Sequence, residues 1–142
     1  MENDIIKVVL DTNVLLVSIP SRSKYRPIFN AILNGKMQLI LSNDIINEYI
    51  EIIERKTNSF VANNIGETLL NLDSVIQIDV RFNWNLIEAD KEDNKFVDVY
   101  IAGNASILVT NDKHFDILKI INFPEVIVMD IDRFLEFVLK HF

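Results

Sequence analysis

Short apolar runs alternate with longer segments of helical hydrophobic spacing along this chain. The runs are rich in β-branched residues and predict strands at residues 5–10, 38–41, 75–78, 107–110 and 126–129. The segments between and after them predict helices at residues 28–33, 45–53, 60–72, 84–88, 96–102 and 131–142. Local signals support these boundaries: Asn34 and Gly35 end the first predicted helix, Ser42 begins the next, and Asp130 or Asp132 begins the last.

This alternation of strand and helix predicts an α/β fold. Right-handed crossovers return the chain to the same end of the sheet, so the strands should be mainly parallel with helices on both faces. We therefore expect a three-layer α/β/α sandwich with about five strands. A length of 142 residues suits one hydrophobic core, and no linker is visible, so residues 1–142 are predicted to form a single domain.

Composition limits the chemistry that the chain can carry. There is no cysteine, so a metal would be held by oxygen or by the two histidines, His114 and His141, and oxygen ligands favour Mg²⁺ or Mn²⁺. The net charge of −7 argues against a general nucleic-acid binder. No apolar run has the length of a membrane span, and the acidic start at residues 1–4 has the wrong charge for a secretory signal. A cytoplasmic location is expected.

Two aspartates directly follow predicted strands. Asp11 comes after the first strand and Asp112 after the fourth. In a parallel sheet the carboxyl ends of the strands open toward the ligand crevice, so both are candidates for a site. The alternative interpretation, and the more common one for an isolated aspartate, is a helix cap or turn residue. Two of them at strand ends are harder to explain in that way.

Further acidic candidates lie on predicted helices. Glu48 falls within the apolar arc that contains Ile45 and Ile52, although it could also be a surface residue at the margin of that arc. Asp93 and Asp98 belong to an acidic run that could equally be a solvated loop and helix start. If a helix begins near Asn94, both carboxylates could face the crevice.

A divalent metal is the chemical reason to gather such carboxylates. Several carboxylates in close quarters repel one another unless a cation neutralises them, and Mg²⁺ binds through one or two carboxylates while leaving positions for substrate phosphate. A metal held in this way can activate water and polarise a phosphodiester. The cluster therefore predicts hydrolysis without a histidine base.

These motifs resemble those of the PIN-domain family, and the resemblance extends over nearly the whole chain. Within the family they are similar to the bacterial VapC-like branch described as toxin components of toxin–antitoxin pairs. The motifs that carry the resemblance are Asp11-Thr12-Asn13, Ser42 with Glu48-Tyr49, Asp93 through Asp98, and Val109-Thr110-Asn111-Asp112.

The resemblance implies an α/β/α sandwich and a Mg²⁺- or Mn²⁺-dependent ribonuclease with a small antitoxin protein as partner. The residues that match the family's main catalytic and metal-binding acids are Asp11, Glu48, Asp93 and Asp112. Asp98 matches a further metal-binding acid of this branch, and Asp93 is preferred over Asn94 because asparagine is the poorer ligand. Asn13 and Thr110 match polar residues that orient the acids or metal waters, although Thr110 could be an ordinary strand residue.

Partner surfaces are less well defined. Arg22, Lys24 and Arg26 surround Tyr25 in a short segment that could grip RNA phosphate and stack a base, or could be a solvated loop. The apolar residues of the 60–72 helix could serve a homodimer or another partner, although core packing is the favoured interpretation.

Three other functions compete with a toxin ribonuclease. A stand-alone RNA-processing nuclease would show the same acids. A non-catalytic PIN scaffold that binds RNA or protein would need an acid lost or misplaced, and all matching acids are present. A phosphoacceptor receiver domain would need an acidic pair before its first helix, where this chain has Asp11-Thr12-Asn13.

Overall fold

The computed structural model describes residues 5–142, so the acidic start at residues 1–4 lies outside the described part. The strands are β1 (Lys7–Leu10), β2 (Gln38–Leu41), β3 (Val75–Gln77), β4 (Ile107–Val109) and β5 (Val128–Met129). The α-helices are α1 (Thr12–Ser18), α2 (Arg26–Leu33), α3 (Asn43–Lys56), α4 (Ser59–Asn71), α5 (Asn94–Ala102) and α6 (Ile131–His141). Two 3-10 segments occupy Lys91–Asp93 and Lys113–Ile120. Within residues 5–142 no helix is long and apolar enough to cross a membrane.

The five strands form one parallel sheet in the order β3-β2-β1-β4-β5, flanked by helices. The predicted α/β/α sandwich is therefore confirmed. The chain moves outward from β1 through β2 to β3, then returns to the other side of β1 for β4 and β5. The direction of winding thus reverses between β1 and β4, which is where ligands bind in open parallel sheets. Asp11 and Asp112 follow those two strands.

The core lies between the sheet and its helices. Its largest fully buried side chains include Tyr49, Phe96, Phe115 and Phe134, and the rings of Phe96 and Phe115 meet edge to face at 6.4 Å. Helix α5 packs against β1, β2 and β4, and α3 packs against α1 and α4. These contacts fix α3, which carries Glu48, and α5, which Asp93 directly precedes, relative to the strand ends.

Local capping agrees with the sequence. Ser42 Oγ accepts the Ile45 N–H at 3.3 Å at the start of α3, and Asp130 accepts the Arg133 N–H at 2.8 Å at the start of α6. Gly35, with a φ of 71°, follows α2 in the left-handed conformation that glycine adopts without strain. These predicted helix boundaries are confirmed.

The predicted helix at residues 84–88 is wrong. Residues 78–90 contain neither helix nor strand, and side chains of α5 bind their backbone instead. The Asn94 amide accepts from the Ile87 N–H and donates to the Ile87 carbonyl, both at 2.9 Å, while Asp98 Oδ1 accepts the Trp84 N–H at 2.9 Å. These bonds satisfy backbone groups that a helix would otherwise have paired.

Two further helical features differ from the sequence prediction. Helix α1 is not among the helices predicted from hydrophobic spacing, and Asp11 is its N-cap, with its side chain accepting the Asn13 N–H. On α4, Leu69 is buried as expected, but Phe60 is 73% exposed and Leu70 is 52% exposed. Core packing therefore explains only part of the apolar face of α4.

Candidate metal centre

Asp11 and Asp112 are joined through one hydroxyl group. Thr110 Oγ1 donates to Asp11 Oδ2 at 2.6 Å and accepts the backbone N–H of Asp112 at 3.0 Å. The Asp11 backbone N–H continues the β1–β4 pairing by donating to the Val109 carbonyl at 3.0 Å. The sheet thus ends at this point, and buried Thr110 holds the first acid against the strand that supplies the second.

Glu48 reaches the same edge from the first half of α3. The Thr12 hydroxyl donates to its Oε2, and Lys95 Nζ lies 2.6 Å from its Oε1. The neighbouring residue, fully buried Tyr49, donates its hydroxyl to the Leu10 carbonyl at 2.5 Å. That bond ties α3 to the last residue of β1, so Glu48 is fixed beside Asp11.

Asp93 approaches from the start of α5. Its Oδ2 lies 3.3 Å from His114 Nδ1, which also lies 3.4 Å from Asp112 Oδ1. One oxygen each from Asp90 and Asp93 and a ring nitrogen of His114 lie within 4.8 Å of one another. Asp93 makes no side-chain capping bond to α5, so its carboxylate stays directed toward His114.

The charges of these acids act on one another. Burial raises the pKa of Asp93 to about 6, with further contributions from the charges of Asp112, Asp90 and Asp11, while the hydrogen bond with His114 opposes the rise. Burial also raises the pKa of Asp11; the Thr110 and Asn13 hydrogen bonds oppose it, and the charges of Asp112 and Glu48 add to it. Asp11, Glu48, Asp93 and Asp112 therefore form one electrostatically coupled group, which we call the acid cluster.

A hard divalent cation fits the acid cluster. Burial and mutual repulsion disfavour the ionised carboxylates, as the raised pKa values of Asp11 and Asp93 report, and a bound cation would relieve both penalties. The donors are carboxylate oxygens, which Mg²⁺ and Mn²⁺ accept. Asp93 belongs as well to the group that it forms with Asp90 and His114.

Asp98 has a different environment from the four acids. It is 4% exposed, and burial raises its pKa while the Trp84 N–H bond lowers it. Within residues 5–142 no other carboxylate is among the charges that shift it. The bond from the Trp84 N–H indicates that Asp98 holds the 78–90 segment against α5. A role of Asp98 as metal ligand stays a prediction. Asn94 is likewise bound to Ile87, which agrees with the choice of Asp93 as the ligand.

The two predicted orienting residues differ. Thr110 contacts both Asp11 and Asp112, as described above. Asn13 is exposed, and the hydrogen bond that it gives to Asp11 Oδ1, at 3.4 Å, comes from its backbone N–H. Its side chain lines a cavity of about 340 Å³ beside Asp11 and Asp112, together with Tyr25.

The predicted RNA-binding cations are partly engaged within the protein. Arg26 donates to the Ile19 carbonyl and, at 2.9 Å, to Asn30 Oδ1. Lys24 lies 3.4 Å from Asp132, with both side chains mostly exposed, and Arg22 is exposed. Of the three, Arg22 and Lys24 keep surface positions from which phosphate could be contacted.

Sequence reasoning missed the contacts that hold Glu48. Thr12 stands inside the first motif and Lys95 inside the run Asp93 through Asp98, but a contact of either with Glu48 was not predicted. The sequence alone does not predict that Lys95 is buried, since lysine side chains are usually exposed. In the structure the side chain of Lys95 is only 15% exposed. Burial would lower the pKa of Lys95, but the hydrogen bond and charge of Glu48 raise it above its usual value.

A fold and an acid cluster of this kind define a parallel α/β protein with a carboxylate cluster at its switch point. The model of the PIN domain matches residues 7–114, and the chain belongs to this family of nucleases. The match includes every member of the acid cluster. No curated protein matches the chain in sequence.

Two solved structures share the fold. One is VapBC2 from Rickettsia felis bound to a DNA fragment from their promoter, with a TM-score of 0.59, 16% identity, and coverage of 88% of this chain and 98% of that chain. The other is DNA-bound VapBC from Salmonella typhimurium, with a TM-score of 0.60, 17% identity, and coverage of 89% and 99%. Both extend the similarity past the matched family region.

Proposed function

We propose that this protein is a metal-dependent endoribonuclease and the toxin of a toxin–antitoxin pair. The observation that carries the nuclease proposal is the acid cluster at the switch point. Its four carboxylates come from the segments that follow β1 and β4, from α3 and from the residue before α5, and their charges shift the pKa values of Asp11 and Asp93. Membership in the PIN-domain family supports the same activity.

Each residue of the cluster has a proposed part in the reaction. Asp11, Glu48, Asp93 and Asp112 would hold Mg²⁺ or Mn²⁺, which when bound supplies a polarised phosphodiester and an activated water. Thr110 orients Asp11 through its hydroxyl, and Thr12 orients Glu48 in the same way. The tie from Tyr49 to Leu10 keeps α3 in register with the end of β1. Asp98 is proposed to fix the 78–90 segment through Trp84.

RNA is the proposed substrate. Two neighbouring cavities, of about 510 and 500 Å³, lie along α3 and the 78–95 segment and share Asp44, Asn83, Lys95 and Asp98. The second cavity is lined by Glu48 and would bring a bound strand near the metal, with Lys91 and Lys95 as the cations of a lining that also holds several carboxylates. Arg22 and Lys24 lie on the other side of the cluster, next to Tyr25, and are proposed as phosphate contacts.

The toxin role rests on the family branch that the motifs resemble, and the two VapBC structures support it. A small antitoxin protein is the proposed partner, and the chain would act in the cytoplasm as a single domain over residues 1–142. A homodimer is also proposed, because exposed Phe60 and Leu70 leave an apolar surface on α4.

The test is cleavage of a mixed single-stranded RNA by the purified protein with Mg²⁺, with Mn²⁺ or with EDTA. We expect cleavage that requires metal and that is lost in Asp11→Asn. Binding of RNA without cleavage under every condition would instead favour a non-catalytic scaffold. Cleavage without growth arrest on expression in bacteria would favour a stand-alone RNA-processing nuclease.

A further inference from the structure

Lys95 pairs with Glu48, one member of the acid cluster. Its side chain is 15% exposed, and its Nζ lies 2.6 Å from Glu48 Oε1. The same ammonium contacts the Glu92 carbonyl at 2.9 Å and Glu92 Oε2 at 3.3 Å. Three oxygen acceptors match the three protons of a lysine ammonium.

This contact leaves Glu48 with neither oxygen unbonded. Oε1 is taken by Lys95, and Oε2 accepts the hydroxyl of Thr12. Each oxygen keeps a second lone pair, so a metal that binds Glu48 would share the carboxylate with these partners. Thr12 is neutral, whereas Lys95 is a cation that would lie next to the incoming metal, so electrostatic repulsion selects Lys95 as the partner that leaves.

Lys95 can move away from Glu48 toward solvent. Both contacts to Glu92 lie on the solvent side of the pair, since the Glu92 carboxylate is 86% exposed while that of Glu48 is 28% exposed. An ammonium that loses Glu48 keeps Glu92 and gains water. The Lys95 ammonium therefore does not become an unpaired buried charge when it leaves Glu48.

We propose that Lys95 is the resident counter-cation of Glu48, which holds that carboxylate in place before metal binds and which is displaced by the charge of a divalent metal. The inference rests on the proposed metal site and adds that Lys95 and the metal compete for Glu48. Lys95 is thus a positioning residue of the metal-free protein, and it weakens metal binding by the interaction that must be broken.

The test is Mn²⁺ affinity, measured by calorimetry without RNA, for wild type and three variants. Lys95→Met removes the counter-cation and should bind Mn²⁺ about tenfold more tightly. Lys95→Arg keeps a cation at Glu48 and should remain within about threefold of wild type. Lys91→Met is the matched control. Lys91 is exposed and lines the same cavity of about 500 Å³ as Lys95 and Glu48, so this variant removes the same charge without removing a contact to Glu48.

A second measurement follows the wild-type protein itself, with a variant used only to assign signals. In wild-type protein with ¹³C-labelled lysine, the Lys95 side-chain signals should shift when diamagnetic Mg²⁺ is added, whereas those of Lys91 should not. Comparison with Lys95→Arg identifies the Lys95 signals.

The outcomes separate this inference from the proposed function. Mn²⁺ binding that is unchanged or weaker in Lys95→Met, or strengthened equally in Lys91→Met, would overturn the competition and leave the metal site standing. Lys95 signals that stay fixed while metal binds would overturn it in the same way. A wild-type protein that binds neither Mg²⁺ nor Mn²⁺ would overturn the metal site and the competition together.

Discussion

The hydroxyl of Thr110 donates to Asp11 Oδ2 at 2.6 Å, which links the ends of two adjacent strands where the direction of winding reverses. The same oxygen accepts the Asp112 N–H, so one buried side chain sets the spacing of two acids. Residues that orient metal ligands are often worth one to two orders of magnitude in metal affinity.

Replacement of this hydroxyl should therefore weaken the metal site. Thr110→Val keeps the shape of the side chain but removes both hydrogen bonds, and we expect Mn²⁺ affinity to fall roughly tenfold to a hundredfold. Thr110→Ser retains the hydroxyl and serves as control, with an affinity within about threefold of wild type. Equal Mn²⁺ binding by Thr110→Val and wild type, measured by calorimetry, would show that the link has no part in holding metal.

Removal of the charge of Asp93 should stabilise the metal-free protein. The pKa of Asp93 rises from the ordinary value of 3.8 to about 6. The folded state thus binds this proton more tightly than the unfolded state, so the free energy of unfolding falls as pH rises from about 4 to about 6. At neutral pH Asp93→Asn should gain about 1 to 2 kcal/mol, after allowance for solvent screening, and should show a shallower pH dependence.

Urea unfolding in EDTA at pH 5 and pH 7.5 measures this effect. Asp116→Asn is the control, because Asp116 is exposed and pairs with Lys119 at the surface. The assignment fails if Asp93→Asn is no more stable than wild type at pH 7.5, or if its pH dependence is as steep.

Neutralisation of Asp98 separates a metal ligand from a residue that holds a loop. Asp98→Asn keeps an oxygen that can accept the Trp84 N–H, so we expect Mn²⁺ affinity to change less than about threefold. Asp98→Ala removes the acceptor and should destabilise the fold by about 1 to 3 kcal/mol. A tenfold loss of Mn²⁺ affinity in Asp98→Asn would instead identify Asp98 as a ligand.

Arg22 and Arg26 should respond differently to mutation. Arg26→Ala loses its bonds to Ile19 and Asn30 and should cost about 1 to 2 kcal/mol of folding free energy. Arg22→Ala should change stability by less than about 0.5 kcal/mol but weaken RNA binding, with a smaller dependence on salt. Unchanged RNA affinity in Arg22→Ala, measured by fluorescence anisotropy, would remove this segment from the proposed RNA contacts.

The positions of Asp11 and Asp112 could be predicted from the sequence because one general rule for parallel sheets places them. A buried apolar run followed by aspartate fixes both the strand and the edge at which the carboxylate emerges, and this holds for Asp11 and Asp112 alike. Glu48 followed from its position in the apolar arc of α3. The parallel topology required only the alternation of strand and helix.

Contacts between distant helices were not accessible in this way. The Glu48–Lys95 pair joins α3 and α5. The rotation of α5 about its axis is decided by packing against the sheet, and that of α3 by packing against α1 and α4. The helix predicted at residues 84–88 was wrong for a related reason. Trp84 and Ile87 have helix-like spacing, but their backbone N–H groups are bound by the side chains of Asp98 and Asn94. No local pattern reports such side-chain bonds to a distant backbone.

The most direct test of the central claim is the single-turnover rate of RNA cleavage in Mg²⁺ for variants that neutralise the acid cluster one residue at a time. These variants are Asp11→Asn, Glu48→Gln, Asp93→Asn and Asp112→Asn, with Asp116→Asn as control. The account predicts a loss of about a hundredfold or more for each cluster variant and a wild-type rate for the control, since each lost ligand withdraws several kcal/mol of charge stabilisation. Wild-type rates in the cluster variants, or a wild-type rate that persists in EDTA, would contradict it.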